Sequence, residues 1–273
     1  MSAGKSPSPV RVGSYNLRVD FLDKGENAWS VRKDRLEKSI SNCKFDVFAV
    51  EEVTTLMQKD LPEMVGPAYK CLFFSPYGQD GVGDKAQGII YRKSRFKVVD
   101  YHYFWPSDNP DVMTENDRTW LPSRNKYHYY NRGGMCVMFK DCKSGKRFFV
   151  MLSHMALDSE FNEKYAHVFE EMERKYNPIG YPSFFVGDFN TRPDTPTSRI
   201  LRQYWTDSAM GTDEGATYNG YKIAKNWDES DYRIDYVYWR NLSQAPAYHC
   251  ERSLIDGKFA SDHFPIWVDA IIK

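Results

Sequence analysis

The sequence predicts an α/β protein whose frame is made of short buried strands. Apolar runs too short for helices recur along the 273 residues, at 47–50, 148–152 and 184–186 among others, bounded by Pro, Gly or polar residues. Between them, Leu36 and Ile40, and later Phe161, Tyr165, Val168, Met172 and Tyr176, recur at helical intervals among charges. That is the mark of helices laying one face on a sheet. A third observation concerns chemistry: run after run ends on a carboxylate, a carboxamide or an imidazole.

No linker, repeat or low-complexity tract divides residues 10–273, which are expected to form a single domain. Residues 1–9 are polar, lack an apolar signal core and read as a flexible leader. Such a leader fits a soluble cytoplasmic protein and an exported one whose signal is already removed. No stretch approaches a membrane span. Lys plus Arg equals Asp plus Glu at 37 each. That balance disfavours a bulk polyanion binder, which needs a basic excess to neutralise phosphates. The five cysteines show no CxxC or zinc spacing and read as scattered thiols with at most one disulfide.

Residues 10–16 alternate as a strand ending at Asn16, followed by a polar loop through Asp20, Asp23 and Asn27. Residues 30–43 form the first amphipathic helix, and 47–50 a strand that stops at Glu51 and Glu52. Carboxylates there are costly unless paired, hydrated or cation-bound; at a sheet edge they simply turn to water. The glycines of 78–88 match no nucleotide-binding fingerprint, because a strand at 89–91 follows them, so the segment reads as a hairpin turn. Across 101–132, Tyr101, Tyr103, Phe104, Trp105, Trp120, Tyr127, Tyr129 and Tyr130 lie among prolines and charges. Such a segment either offers stacking surfaces to a base or sugar or covers a core edge.

Arg132 leads into a strand at 135–139, and the run 148–152 ends at Ser153-His154. The glutamates of the second helix read as its solvated face. The strand beginning at Phe184 then delivers Asp188 and Asn190 in one turn, residue types that turns also favour for backbone reasons alone. Thr195-Pro196 supplies an N-cap and a first-turn proline, with Ile200, Leu201 and Tyr204 as the buried side. Residues 213–231 read as a polar loop with Asp228, Glu229 and Asp231 solvated. Residues 233–238 alternate as a strand carrying Asp235, and Ser261-Asp262-His263 precede the last strand, 264–272.

Collected, the polar groups at strand ends are Asn16, Glu52, His154, Asp188, Asn190, Asp235, Asp262 and His263. Each alone has an ordinary structural explanation; together they point to one site. Oxygen donors without cysteine suit a hard cation, Mg2+ or Mn2+. A histidine beside a carboxylate moves protons, and a second carboxylate fixes its tautomer. Those parts suit in-line attack of water on a phosphoester.

Gly187-Asp188-Phe189-Asn190, Arg233-Ile234-Asp235-Tyr236 and Ser261-Asp262-His263, in that order, form a specific signal. Through them, essentially the whole chain from Tyr15-Asn16 onward resembles the endonuclease/exonuclease/phosphatase superfamily. That superfamily includes deoxyribonuclease I, exonuclease III-type abasic-site enzymes, neutral sphingomyelinases and inositol polyphosphate 5-phosphatases. The likeness is closer to bacterial members, through Gly25-Glu26-Asn27-Ala28-Trp29, Phe104-Trp105-Pro106-Ser107 and Ala216-Thr217-Tyr218-Asn219-Gly220. The resemblance implies two packed, mainly antiparallel β-sheets flanked by helices, a four-layer α/β sandwich with its site at one end.

It also implies roles. Glu52 resembles the principal metal ligand, with Asn16 beside it and Asp262 near the metal. Asp188 resembles the group that activates or orients water, with Asn190 as its hydrogen-bonding partner. His263 resembles the catalytic histidine, oriented by Asp235, while His154 and Arg132 would contact phosphate oxygens. Two departures stand out: the usual Gln-Glu is Glu51-Glu52, and the Met155-Ala156-Leu157-Asp158 run after His154 gives no role to Asp158.

The expected function is a divalent-metal-dependent phosphoesterase, favouring a phosphodiester, with a sugar, lipid headgroup or nucleic acid as the rest of the substrate. A nuclease of the same fold is the alternative that a basic stripe around the site would support. A catalytically silent binding module is the third reading, opposed by a competent residue at every position the resemblance requires.

Overall fold

The computed structural model describes residues 9–76, 86–113, 132–212, 215–223 and 232–273. Residues 1–8 of the leader, most of the 78–88 turn, Asp228, Glu229 and Asp231 lie outside them. So do Trp120, Tyr127, Tyr129 and Tyr130. Among the described residues, two six-stranded sheets face each other, with helices on their outer sides. The first sheet has the order β11-β12-β1-β2-β4-β3 and the second β5-β6-β7-β8-β10-β9. In chain order the strands are β1 (Val10–Asn16), β2 (Val47–Val53), β3 (Tyr69–Phe74), β4 (Ala86–Arg92), β5 (Phe96–Phe104) and β6 (Gly134–Asp141). They continue as β7 (Arg147–Ser153), β8 (Ser183–Asp188), β9 (Thr206–Asp207), β10 (Asp235–Arg240), β11 (Ala247–Cys250) and β12 (Ile266–Ala270). Only β1–β2 and β7–β8 pair in parallel; the other ladders among the described residues are antiparallel.

Strand periodicity explains the apolar runs. In β8, Phe184 and Val186 enter the core between the sheets, while Phe185 packs outward beneath α3 (Ser159–Tyr176) and α4 (Pro196–Leu201). In β2, Val47 and Ala49 face the inter-sheet core, while Phe48 and Val50 face α1 (Trp29–Cys43) and α2 (Thr55–Val65). A strand covered on both faces reads as continuously apolar.

Both predicted long helices are present, and Thr195 caps α4 at the Ser198 N–H as its residue type suggested. All five cysteines are free.

Several expectations need correction. The strand at 47–50 runs on to Val53 and carries Glu51 and Glu52 within it, both buried, so neither turns to water. Tyr101, Tyr103 and Phe104 belong to β5, and Tyr103 stacks on Phe74 with ring centroids 4.4 Å apart. The described part of the aromatic segment therefore covers a core edge. On α3, Glu170 and Glu173 are buried, the latter accepting hydrogen bonds from Ser183 Oγ at 2.7 Å and Trp205 Nε1 at 2.5 Å. Asp158 caps that helix by accepting from the Glu160 and Phe161 N–H groups, which gives it a structural task. Elements α2, β3, β9 and β11 carried no sequence signal strong enough to be read.

Candidate active site

The pairings bring every candidate residue to one end of the sandwich. β1 and β2 run in parallel and end together, with Asn16 opposite Glu51. β10 runs antiparallel to β8, so its first residue, Asp235, lies opposite the last of β8, Asp188. β12 runs antiparallel to β1, which returns His263, just before it, to the same end. Ser153 at the end of β7 pairs with Gly134 at the start of β6, which sets His154 near Arg132.

Two local distortions aim the side chains. Between Val50 and Val53 the register of β2 on β4 slips, and Glu52 adopts φ +60°. Strict alternation would leave Glu52 on the helix side; a bulge re-aims it, and Glu52 lines the pocket. Asn190 and Arg18 also sit in the left-handed region, at φ +47° and +58°, and both line the pocket. Gly187 has φ +144°, and a Cβ there would lie 2.0 Å from the Ser153 carbonyl oxygen, so only glycine lets β7 and β8 close up beneath Asp188.

The resulting cavity of about 380 Å³ is lined by Glu52, Arg132, His154, Asp188, Asn190, Asp262 and His263, together with Arg18, Arg192, Tyr218 and Tyr232 at other parts of its wall. Asp188 is its hub. Its Oδ2 accepts from Asn16 Nδ2 at 2.9 Å, with His154 Nε2 at 3.4 Å and His263 Nε2 at 3.8 Å. Its Oδ1 accepts from the Asn190 N–H at 2.9 Å. On the far side of the ring, His263 Nδ1 lies 2.9 Å from Asp235 Oδ2.

Burial, and then Asp235, push the Asp188 carboxyl up, against the pull of His263, the Asn190 N–H and Asn16. Burial alone would pull His263 down; the charges of Asp235 and Asp188 and the Nδ1 contact outweigh it and raise it well above the usual imidazole range. Asp262 is raised by burial and by Glu52 and Asp23, while His263 and Arg18 oppose the rise. Asp188, Asp235 and His263 can each offer a ligand atom within 4.8 Å of the others.

Sequence reading missed three contributors, Arg18, the Val19 N–H and Gln87, and left Glu51 beside Glu52 without a role of its own. Arg18 reaches Asp262 Oδ2 at 3.2 Å and Asp23 at 3.0 Å, so Asp262 already has a cation beside it. The Val19 N–H donates to Glu52 Oε2 at 3.1 Å. Glu51 lies fully enclosed under the site, with Ser14 Oγ donating to its Oε1 at 2.7 Å and no hydrogen-bond partner for Oε2 among the described residues. Gln87 joins the two sheets beside His154. Gln87 alone had a readable signal, a polar residue at the start of an apolar strand; Arg18 and Ser14 are single polar residues in or after β1 with no pattern around them.

A model described as the endonuclease/exonuclease/phosphatase family matches residues 13–263. The chain belongs to the endonuclease/exonuclease/phosphatase family. As a member it is an enzyme, a hydrolase of phosphoesters. Its fold is shared with an endonuclease/exonuclease/phosphatase protein from Bacteroides vulgatus, at 21% identity and TM-score 0.82, covering 97% of this chain and 100% of that one. A mannosyl-6-phosphatase from Bacteroides thetaiotaomicron is similar at 23% identity and TM-score 0.76, covering 96% and 100%. The human nocturnin catalytic domain with bound sulfate is similar at 16% identity and TM-score 0.70, covering 97% and 94%. No curated protein sequence matches significantly. Family members generally use divalent metals. No helix among the described residues is long and apolar enough to cross a membrane.

Proposed function

We propose that this family member is a divalent-metal-dependent phosphoesterase that hydrolyses a small organic phosphoester by in-line attack of water. The observation that carries the reading is the convergence of Asn16, His154 and His263 on one oxygen of the buried Asp188, inside a pocket that also holds Arg132 and Glu52. Asp188 takes the proton of, or orients, the attacking water, and the Asn190 N–H fixes the carboxylate's other oxygen. His263, held at Nδ1 by Asp235, presents Nε2 to the reacting phosphoryl group, a standard acid–base arrangement. Arg132 and His154 hold the remaining phosphate oxygens.

The acidic wall fits a cation. Glu52 and Asp262 are buried close enough to raise the Asp262 carboxyl, and with Asn16 they form an all-oxygen donor set suited to Mg2+ or Mn2+. These three would hold the ion, which when bound neutralises charge on the phosphoryl oxygens. Asp188, Asp235 and His263 are assigned to proton transfer, with Asp235 holding Nδ1 and Nε2 turned toward Asp188.

For the substrate, a phosphodiester remains the sequence-based expectation. A sugar monoester is the second reading, favoured by the limited 380 Å³ of the pocket and by the likeness to a mannosyl-6-phosphatase. Hydrolysis of a chromogenic phosphodiester and its matching monoester, with Mg2+ or Mn2+ and with chelator, decides between them. The expected result is cleavage that chelation abolishes and either metal restores; full activity of the metal-free protein overturns the metal assignment, and cleavage of the monoester alone selects the second reading.

A further inference from the structure

We propose that Gln87 is a positioning residue for phosphate binding, acting from the opposite sheet on the backbones that carry Arg132 and His154. The inference rests on the reading above that those two side chains contact phosphate oxygens. Gln87 stands on β4 of the first sheet and is 1% exposed. It shares the inward face of that strand with Ile89 and Tyr91, so its carboxamide points across the inter-sheet core at the second sheet. Both ends of the carboxamide are used there. Nε2 donates to the Gly133 carbonyl at 2.7 Å, and Oε1 accepts from the His154 N–H at 2.8 Å.

One side chain thus ties the residue after Arg132 to His154 itself, two points that lie just before β6 and just after β7. Ser153 Oγ donates to the same Gly133 carbonyl at 3.0 Å, so that oxygen is held from two directions. The hold matters because Arg132 enters β6 through Gly133-Gly134, a pair with no side chain to anchor it. The packing there is also close: a Cβ on Gly133 would lie 2.6 Å from the Phe74 ring, and one on Gly134 2.0 Å from the Phe104 ring. The backbone at Arg132 is therefore set by what its neighbours' carbonyls accept. A residue that fixes a phosphate contact in this way acts on rate and anion affinity without touching substrate.

Gln87→Met keeps the length and removes both hydrogen bonds; Gln87→Glu keeps the acceptor for His154 and removes the donor to Gly133. Each is measured for phosphoester kcat and KM, for affinity to inorganic phosphate by calorimetry, and for melting temperature. Gln87→Met is expected to weaken inorganic phosphate about tenfold and lower kcat/KM by roughly 10–100-fold, with the pH limbs unmoved because Asp188 and His263 are untouched. In an Arg132→Ala, His154→Ala background the same substitution is expected to cost less than about threefold, since nothing is left to position. An equal cost in both backgrounds, or unchanged phosphate affinity in a folded variant, overturns the role. If Gln87→Met does not fold, Gln87→Glu in the Arg132→Ala background gives the same test. A wild type that neither hydrolyses phosphoesters nor binds phosphate overturns the functional reading and this inference with it. An active wild type indifferent to Gln87 overturns the inference alone.

Discussion

At the residue scale, Asp188 and His263 face each other in a buried pocket and cannot be replaced by solvent. His263→Ala and Asp188→Ala are each expected to lower kcat by at least about 100-fold, read by steady-state kinetics; a near-wild-type rate in either removes its assigned role. Glu51 makes a different prediction. Burial, reinforced by Asp235 and Asp188 against the Ser14 hydrogen bond, raises its carboxyl well above the usual value. A raised carboxyl binds its proton more tightly folded than unfolded. Its contribution to stability is thus full below the unfolded value of about 4.5 and lost as pH rises through the folded one. Glu51→Gln, which keeps the acceptor for Ser14, should therefore raise the melting temperature at pH 8 and leave it unchanged near pH 4. Parallel melting curves for the two proteins across that range would remove Glu51 as the source of the pH dependence.

At the element scale, the site depends on how closely β7 and β8 approach. Gly187→Ala forces a side chain into φ +144° and against the Ser153 carbonyl, for an expected loss of roughly 2–3 kcal/mol. Because Asp188 is the next residue, activity should fall more than the melting temperature alone predicts. Chemical unfolding beside kinetics checks both; a variant as stable and active as wild type would mean the strands can part without cost. Strand identity itself was legible in β8, β7 and β12, where apolar runs are long enough to register. β3 and β9 were not, because an edge strand or a two-residue strand leaves no periodic pattern to read. α2 escaped because Pro62 sits within its 11 residues and only Met57 and Leu61 are fully buried.

At the scale of the whole molecule, the core between the sheets fixes how the two halves of the site meet. Asn16 and Glu52 come from the first sheet, and Asp188, Asp235 and His154 follow the second. Phe148 sits in that core, with Phe139 stacked on it at 5.4 Å and Phe96 and Phe184 edge-on at 5.5 and 6.3 Å. Phe148→Ala is expected to cost about 3–5 kcal/mol, whereas Tyr101→Ala on the half-exposed edge of β5 should cost far less. Urea midpoints for the pair test this, and equal shifts would contradict the placement of Phe148 in the packed core between the sheets.

What the sequence determined by itself is the inventory: buried strands, two amphipathic helices, and the polar residues left at the strand ends. Those follow from local rules, because a side chain's periodicity and a turn's residue types are written in neighbouring positions. Gly187-Asp188-Phe189-Asn190 and Ser261-Asp262-His263 are legible for that reason. Only the tertiary structure decided which of two adjacent glutamates enters the pocket, because a bulge and a left-handed backbone at Glu52 override alternation. It also decided that Arg18 neutralises Asp262 and that Gln87 spans the sheets, since those partners lie 244 and 46 or 67 positions away. Contacts across such separations are set by strand pairing and sheet packing, which no local pattern encodes.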